Sequence, residues 1–179
     1  MFYLCNYSSP VGLITLASQQ NKLVGAWIEG EKYFGHTLNT RTEEKSNLPI
    51  FNSTKKWFDD YFSGKRPNPY QLELAPNGTP FRNLVWEILC KIPYGQVITY
   101  GDIAKQITIK TNKASMSSQA VGGAVGHNPI SIIIPCHRVI GANGNLTGYA
   151  GGIDKKIKLL EIEDVYIKDF FIPTKGTAL

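Results

Sequence analysis

Ile132-Ile133-Ile134-Pro135-Cys136-His137-Arg138-Val139 is the stretch from which both the fold and the chemistry of this chain are read. Three successive isoleucines read as a fully buried strand, and Pro135 ends it because proline has no amide to give to a ladder. Cys136 therefore falls where a core strand passes into a turn, with a proton carrier beside it in His137. A cysteine next to a core strand is most often a small hydrophobe, and on that residue alone the packing reading is preferred.

Toward the C terminus, Gly141-Ala142-Asn143-Gly144-Asn145 reads as a turn-rich hairpin. Gly148-Tyr149-Ala150-Gly151-Gly152 is a glycine-bounded loop whose backbone amides can line a ligand closely. A helix from Asp154 turns Ile157, Leu160 and Val165 inward, with Lys155, Lys156, Lys158, Glu161 and Glu163 near them, and Phe170 to Leu179 reads as a loose tail.

Toward the N terminus, Asn128-Pro129 ends a helix that Ser117 or Ser118 caps and that runs through Gln119 to Gly126. Its small residues allow either close packing against another helix or close approach to something large. Upstream, Thr99 caps a short helix from Tyr100 to Ile107, with Asp102 in its first turn, and Thr108 to Ser115 is a basic connecting loop carrying Lys110 and Lys113. Helix, polar loop and small-residue helix have the layout of a helix-turn-helix, with a loop longer than usual. Ile92-Pro93-Tyr94-Gly95 is a turn. Before it, Thr79 and Pro80 open a helix whose apolar face is Phe81, Leu84, Val85, Ile88 and Leu89, with Cys90 a structural neighbour.

Lys65 to Gly78, broken by Pro67, Pro69 and Pro76, is the domain boundary. In front of it, Ser53 caps a helix with Trp57, Phe58, Tyr61 and Phe62 on one face, and Gly64 ends it. Residues 29 to 50 read as a long polar loop. Tyr3 to Tyr7, Leu13 to Ser18 and Leu23 to Ile28 form an antiparallel meander on which that aromatic face packs. The expected architecture is thus α/β (α+β), with domains at 1–76 and 79–170 and a loose tail at 171–179.

At 179 residues, with 42% hydrophobic and 11% aromatic composition, the chain can bury a core without staples. No apolar run has the length of a membrane span, and the start has no leader pattern. Three cysteines (Cys5, Cys90, Cys136) without a CxxC motif agree with a reducing, cytoplasmic setting. The three histidines, His36, His127 and His137, lack metal-site spacing, so neither a metal nor a cofactor is expected. A net charge of +5 only weakly favours a polyanionic partner.

A thiol is mostly protonated at neutral pH and needs a base or a positive field to become a nucleophile. His137 can be that base, directly or through one water, but neighbours on an extended segment point apart, so a water bridge or a sharp turn is required. Glu161 or Glu163 can hold the imidazole in its useful tautomer. The same three groups also suit a turnover thiol hydrolase.

Pro135-Cys136-His137-Arg138-Val139, preceded by Asn128-Pro129 and followed by Gly148-Tyr149-Ala150-Gly151-Gly152, resembles the methylated-DNA–protein-cysteine methyltransferases, or O6-alkylguanine-DNA alkyltransferases. The resemblance covers Thr79 to Glu163, apart from the long loop from Thr108 to Ser118. It implies a ribonuclease H-like first domain and a winged-helix-like second one. It also implies a protein that repairs O6-methylguanine in DNA once, keeping the alkyl group on Cys136 as a thioether, with O4-methylthymine a second candidate lesion. By position, Cys136, a bridging water, His137 and Glu163 would be the activating relay, and Tyr100 the proton donor to the departing guanine. Tyr149, the Ala150 amide, Val139 and Lys156 would bound the substrate pocket, Asn128 would tie the recognition helix to the active-site turn, and Arg138 would be an ion-pair partner.

The partner implied is double-stranded DNA, bound as a monomer through the minor groove with the damaged base flipped out. Gln119, Ala120, Gly122 and Gly123 would meet it. The alternatives are a non-catalytic sensor of alkylated DNA, which would lack the reactive cysteine, and the hydrolase. One departure matters: the family usually has an arginine where this chain has Gln119, which can hydrogen-bond an orphaned base but brings no charge. Weaker, more salt-tolerant DNA binding follows, with Lys110 and Lys113 as partial offsets. Gln119→Arg should therefore tighten binding and steepen its fall with salt; unchanged affinity across a salt titration would refute this.

Overall fold

The structure is a computed structural model that describes residues 1–112 and 114–172. Lys113 and the distal part of the expected tail lie outside them. The chain divides into two units, 1–77 with 129–133, and 78–128 with 134–179.

In the first unit, β1 (Phe2–Ser9), β2 (Gly12–Gln19) and β3 (Lys22–Ile28) form the antiparallel meander. The segment read as a long loop contains a further strand, β4 (Thr42–Glu44), paired parallel to β1, so the sheet order is β3-β2-β1-β4. All three β4 residues are exposed. An exposed edge strand needs no apolar alternation, so no periodic pattern marks it.

Helix α1 (Pro49–Phe62) starts one turn before the expected Ser53 cap. Pro49 sets its first position, and Ile50 and Phe51 are already buried there. Gly64, at φ +79°, ends the helix in the left-handed region that suits glycine. The aromatic face packs as expected: Phe58 stacks on Tyr7 of β1 at 5.2 Å, and Trp57 stacks on Tyr61 at 5.5 Å.

In the second unit, Thr79 and Pro80 open α2 (Pro80–Leu89). Trp86, outside the expected apolar face, is buried and donates its indole N–H to the Ala124 carbonyl at 2.9 Å. β5 (Ile98–Thr99) leads into α3 (Tyr100–Thr111), which Thr99 and Asp102 cap reciprocally. α3 runs one turn past the expected end, to a left-handed Asn112. The side chains of Thr108 and Thr111 bond back to the carbonyls of Ala104 and Ile107, so polar residues that read as loop are helical. Lys110 of this added turn pairs with Glu87 at 3.1 Å. Ser117 caps α4 (Ser118–Gly126), β6 (Val139–Ile140) pairs parallel to β5, and α5 spans Ile153–Ile162.

The isoleucine run is buried but is not a strand. Ile132 lies at φ +71°, and the Ile133 N–H bonds to the Ser131 carbonyl at 2.9 Å, so the chain makes a tight turn there. A hydrophobic run reports burial, and burial alone does not distinguish a strand from a turn threaded through a core. Residues 129–133 accordingly belong to the first unit, although the linear reading put them in the second. The expected hairpin at 141–145 is a 3-10 turn over Ala142–Gly144. Phe170 packs on the cluster around Ile140, Leu146 and Leu160, and Phe171 bridges to Asn145, so the described start of the tail is fixed, not loose.

Thr99→Ala removes the hydroxyl that accepts from the Asp102 amide and donates to its carboxylate, leaving only the backbone half of the α3 capping box beside Tyr100. It should cost about 1 kcal/mol, seen as a fall in Tm of about 2–4 °C.

Candidate active site: a buried cysteine, histidine and glutamate

Cys136, His137 and Arg138 form a single 3-10 turn directly after Pro135. Three residues per turn place successive side chains about 120° apart, which supplies the sharp turn that the adjacent cysteine and histidine require. All three are buried, Cys136 at 5% exposure and His137 at 0%.

Glu163, at the C-cap of α5, gathers this turn. Its Oε1 accepts from His137 Nε2 at 2.7 Å and from Arg138 Nη2 at 2.9 Å. Its Oε2 accepts from Arg138 Nε at 2.8 Å and from the Gly95 amide at 3.1 Å. Gly95 is at φ +76°, and a Cβ there would come within 2.9 Å of the Glu163 carbonyl, so this approach requires glycine. Arg138 is further fixed by Nη1 donating to the Ile92 carbonyl at 2.6 Å and by the Tyr94 ring 5.8 Å away. Glu161 is exposed, so the geometry separates the two glutamates.

Burial alone would raise the carboxyl of Glu163, but the hydrogen bonds and charges of His137 and Arg138 outweigh it and hold the group well below the usual carboxylate range. Burial holds the His137 imidazole below its ordinary value; Glu163 pulls the other way, and the nearby Arg138 and Lys156 cations add to the lowering. An ionised Glu163 can only accept, so the proton of neutral His137 is on Nε2 and Nδ1 carries the lone pair.

Around the thiol, the Asn128 amide Nδ2 donates to Cys136 Sγ at 3.1 Å and to the Ile134 carbonyl at 2.8 Å. Donation to sulfur favours the thiolate. Asn128 follows His127, the C-cap of α4, so the helix end and the cysteine turn share one amide. Tyr100, first residue of α3, donates to the Gly148 carbonyl at 3.2 Å. Burial, with Cys136 nearby, pushes its phenol above the ordinary range, so it holds its proton at neutral pH. Tyr149 and Ala150 are half-buried in the following turn, which the Gly152 amide closes on the Tyr149 carbonyl at 3.0 Å.

Lys156 is not at a pocket edge: it is 0% exposed, and Nζ donates to the carbonyls of Val139 at 2.6 Å and Thr147 at 2.9 Å. Burial pulls its pKa down to about 8, against an opposing pull from Cys136. The sequence sets it beside Lys155 and Lys158, and the resemblance at the edge of the pocket; nothing in its local pattern marks it as interior. The roles of Gly95 and Ile92 were also missed; the only hint was a Pro-Tyr-Gly turn.

On α4, Gln119, Ala120 and Gly123 are exposed, while Val121 and Ala124 are buried and Gly122 lies near the Tyr100 ring. The helix therefore uses one side for packing and leaves a smooth, small-residue side open.

The family model for the 6-O-methylguanine DNA methyltransferase DNA binding domain matches residues 80–165, and the model for the ribonuclease-like domain of the same proteins matches residues 3–76. A methylated-DNA–protein-cysteine methyltransferase of Haemophilus influenzae is 39% identical over 91% of this chain and 87% of that protein. One from Methanosarcina mazei is 43% identical over 77% of this chain and 89% of its own length. The solved structure of Mycobacterium tuberculosis OGT in complex with DNA superposes with a TM-score of 0.79, at 39% identity, over 90% of this chain and 93% of that one. With both halves matched and a relative this similar along most of its length, the chain belongs to the 6-O-methylguanine DNA methyltransferase family.

Proposed function

We propose that the protein repairs O6-methylguanine in DNA by moving the methyl group to Cys136, once per molecule. The observation that carries this reading is the placement of Cys136 between the Asn128 amide and the turn that delivers His137 to Glu163. His137 Nδ1 takes the thiol proton, directly or through one water, and the ionised Glu163 steadies the imidazolium that forms. The buried Lys156 cation and the Asn128 donor favour the thiolate. Its sulfur attacks the methyl carbon in line, the carbon–sulfur bond forms, and the bonding pair of the broken carbon–oxygen bond leaves on the guanine oxygen. Tyr100 gives the departing guanine a proton, so the proton lost by the thiol matches the one gained by the base. The thioether has no leaving group to regenerate, and no cofactor enters the balance.

Tyr149, the Ala150 amide and Val139 bound the substrate pocket in this reading, with Lys156 buried behind them on the Val139 and Thr147 carbonyls. The DNA partner is bound in its minor groove, with α4 (Gln119, Ala120, Gly122 and Gly123) against it and the damaged base extruded. We place the protein in the cytoplasm as a monomer: none of its three cysteines is in a disulfide, and no described helix is long and apolar enough to cross a membrane.

Incubation with a methylguanine oligonucleotide should leave one methyl on Cys136 in the peptide mass spectrum, with repair stopping at one equivalent. Repeated turnover would point instead to a hydrolase, and repair with unmodified Cys136 would sink the assignment. Glu163→Gln should slow single-turnover transfer on the order of 10²-fold, since the imidazole loses its charge partner. The depressed His137 also sets a pH dependence of stability. The unfolded chain takes up the histidine proton near 6.5, before the folded one does, so stability falls as pH drops below that value. The slope of Tm against pH from about 7 to 5 should be steeper in the parent protein than in His137→Gln.

A further inference from the structure

The mechanism above makes no use of Glu31 and Ser131. They are 100 positions apart in sequence, yet Ser131 Oγ donates to Glu31 Oε1 at 2.7 Å, and both are buried, at 2% and 6% exposure. A carboxylate taken out of water needs donors, and a buried serine hydroxyl aimed at it is a specific contact, not a solvated one.

The backbone around the pair explains how it forms. Ala26 of β3 donates to the Pro129 carbonyl at 2.9 Å and accepts from the Ser131 amide at 2.7 Å, so the sheet edge grips residues 129–131. Beyond β3 the chain turns back: the Glu31 amide bonds to the Ile28 carbonyl at 3.1 Å, and Gly30 takes φ +83°, as a type II turn demands. This turn sets the Glu31 side chain on Ser131. The next residue, Ile132, lies at φ +71°, where a β-branched residue is strained. Strain of this kind persists only where the surroundings over-determine it, and it collects at functional sites. Four residues after Ile132 along the chain comes Cys136.

We propose that Glu31 is a positioning residue for the methyl transfer. With Ser131 it locks the strained turn from which the chain enters Pro135-Cys136, and so fixes the direction in which the sulfur faces its target. Glu31 acts through Ser131 in this role, not on the reacting atoms. The proposal rests on the alkyl-transfer reading of Cys136, because in-line displacement is the chemistry that a small misdirection of sulfur slows most.

The test is single-turnover transfer from a methylguanine duplex to the full-length protein, followed over a range of DNA concentrations. Ser131→Ala and Glu31→Ala should each lower the saturating rate about 10-fold while leaving the half-saturating DNA concentration unchanged. The double variant should be no slower than either single one, since both remove the same contact. Circular dichroism and Tm establish that each variant is folded at the assay temperature. Should Glu31→Ala not fold, Ser131→Ala, which removes one oxygen, carries the test alone. A folded Ser131→Ala with an unchanged saturating rate overturns the proposal, as do losses that simply add in the double variant. Parent protein that places no methyl on Cys136 overturns the alkyl-transfer reading itself, whereas normal parent and unaffected variants overturn only the positioning role.

Discussion

The Glu163 carboxylate is the group on which the site depends. It is buried, and hydrogen bonds from His137, from Nε and Nη2 of the Arg138 guanidinium and from the Gly95 amide meet its two oxygens. A buried charge is tolerated only when paired and hydrogen-bonded, and withdrawing one partner leaves the others over a large desolvation cost. Glu163 thereby joins α5, the 3-10 turn after Pro135 and the turn after α2 in one arrangement. The same contacts fix the imidazole tautomer, so the feature that holds the second unit together also selects the lone pair that faces away from the glutamate. Structure and chemistry share one carboxylate here.

Lys156 shows the other side of that economy. An amine with no exposure, satisfied by two carbonyls, is a costly interior group that an apolar side chain would fill more cheaply. Its retention makes sense where a negative charge develops close by, as at the sulfur of Cys136 when the thiol ionises. The neutral phenol of Tyr100 and the amide of Asn128 complete a shell with one positive centre, one acid and one neutral donor.

Much of this was legible in the chain. The meander, the aromatic face of α1, the Thr79-Pro80 start and the caps at Thr99 and Ser117 follow from local chemistry that tertiary contacts did not override. The reading failed where polarity and burial disagree with local form. β4 is all exposed and has no alternation, the last turn of α3 hides in threonines that bond back to their own helix, and the isoleucine run is a core turn in the guise of a strand. In each case a tertiary or side-chain bond, invisible to periodicity, decided the backbone.

By itself the sequence determined the contiguous Pro135-Cys136-His137-Arg138 run, whose turn is local, and it was the family resemblance carried by that run that made Cys136 the candidate nucleophile. It also marked a break at residues 65 to 78, where a proline-rich segment interrupts all periodicity, but not that residues 129–133 join the first unit. Local pattern left Glu161 and Glu163 open and the resemblance implied Glu163; only the tertiary structure decided that Lys156 is interior and that Glu31 reaches Ser131. The partners lie from 9 to 100 positions apart, and in each pair a charge is held out of water at hydrogen-bond distance. Packing alone creates that condition, and no local pattern encodes it.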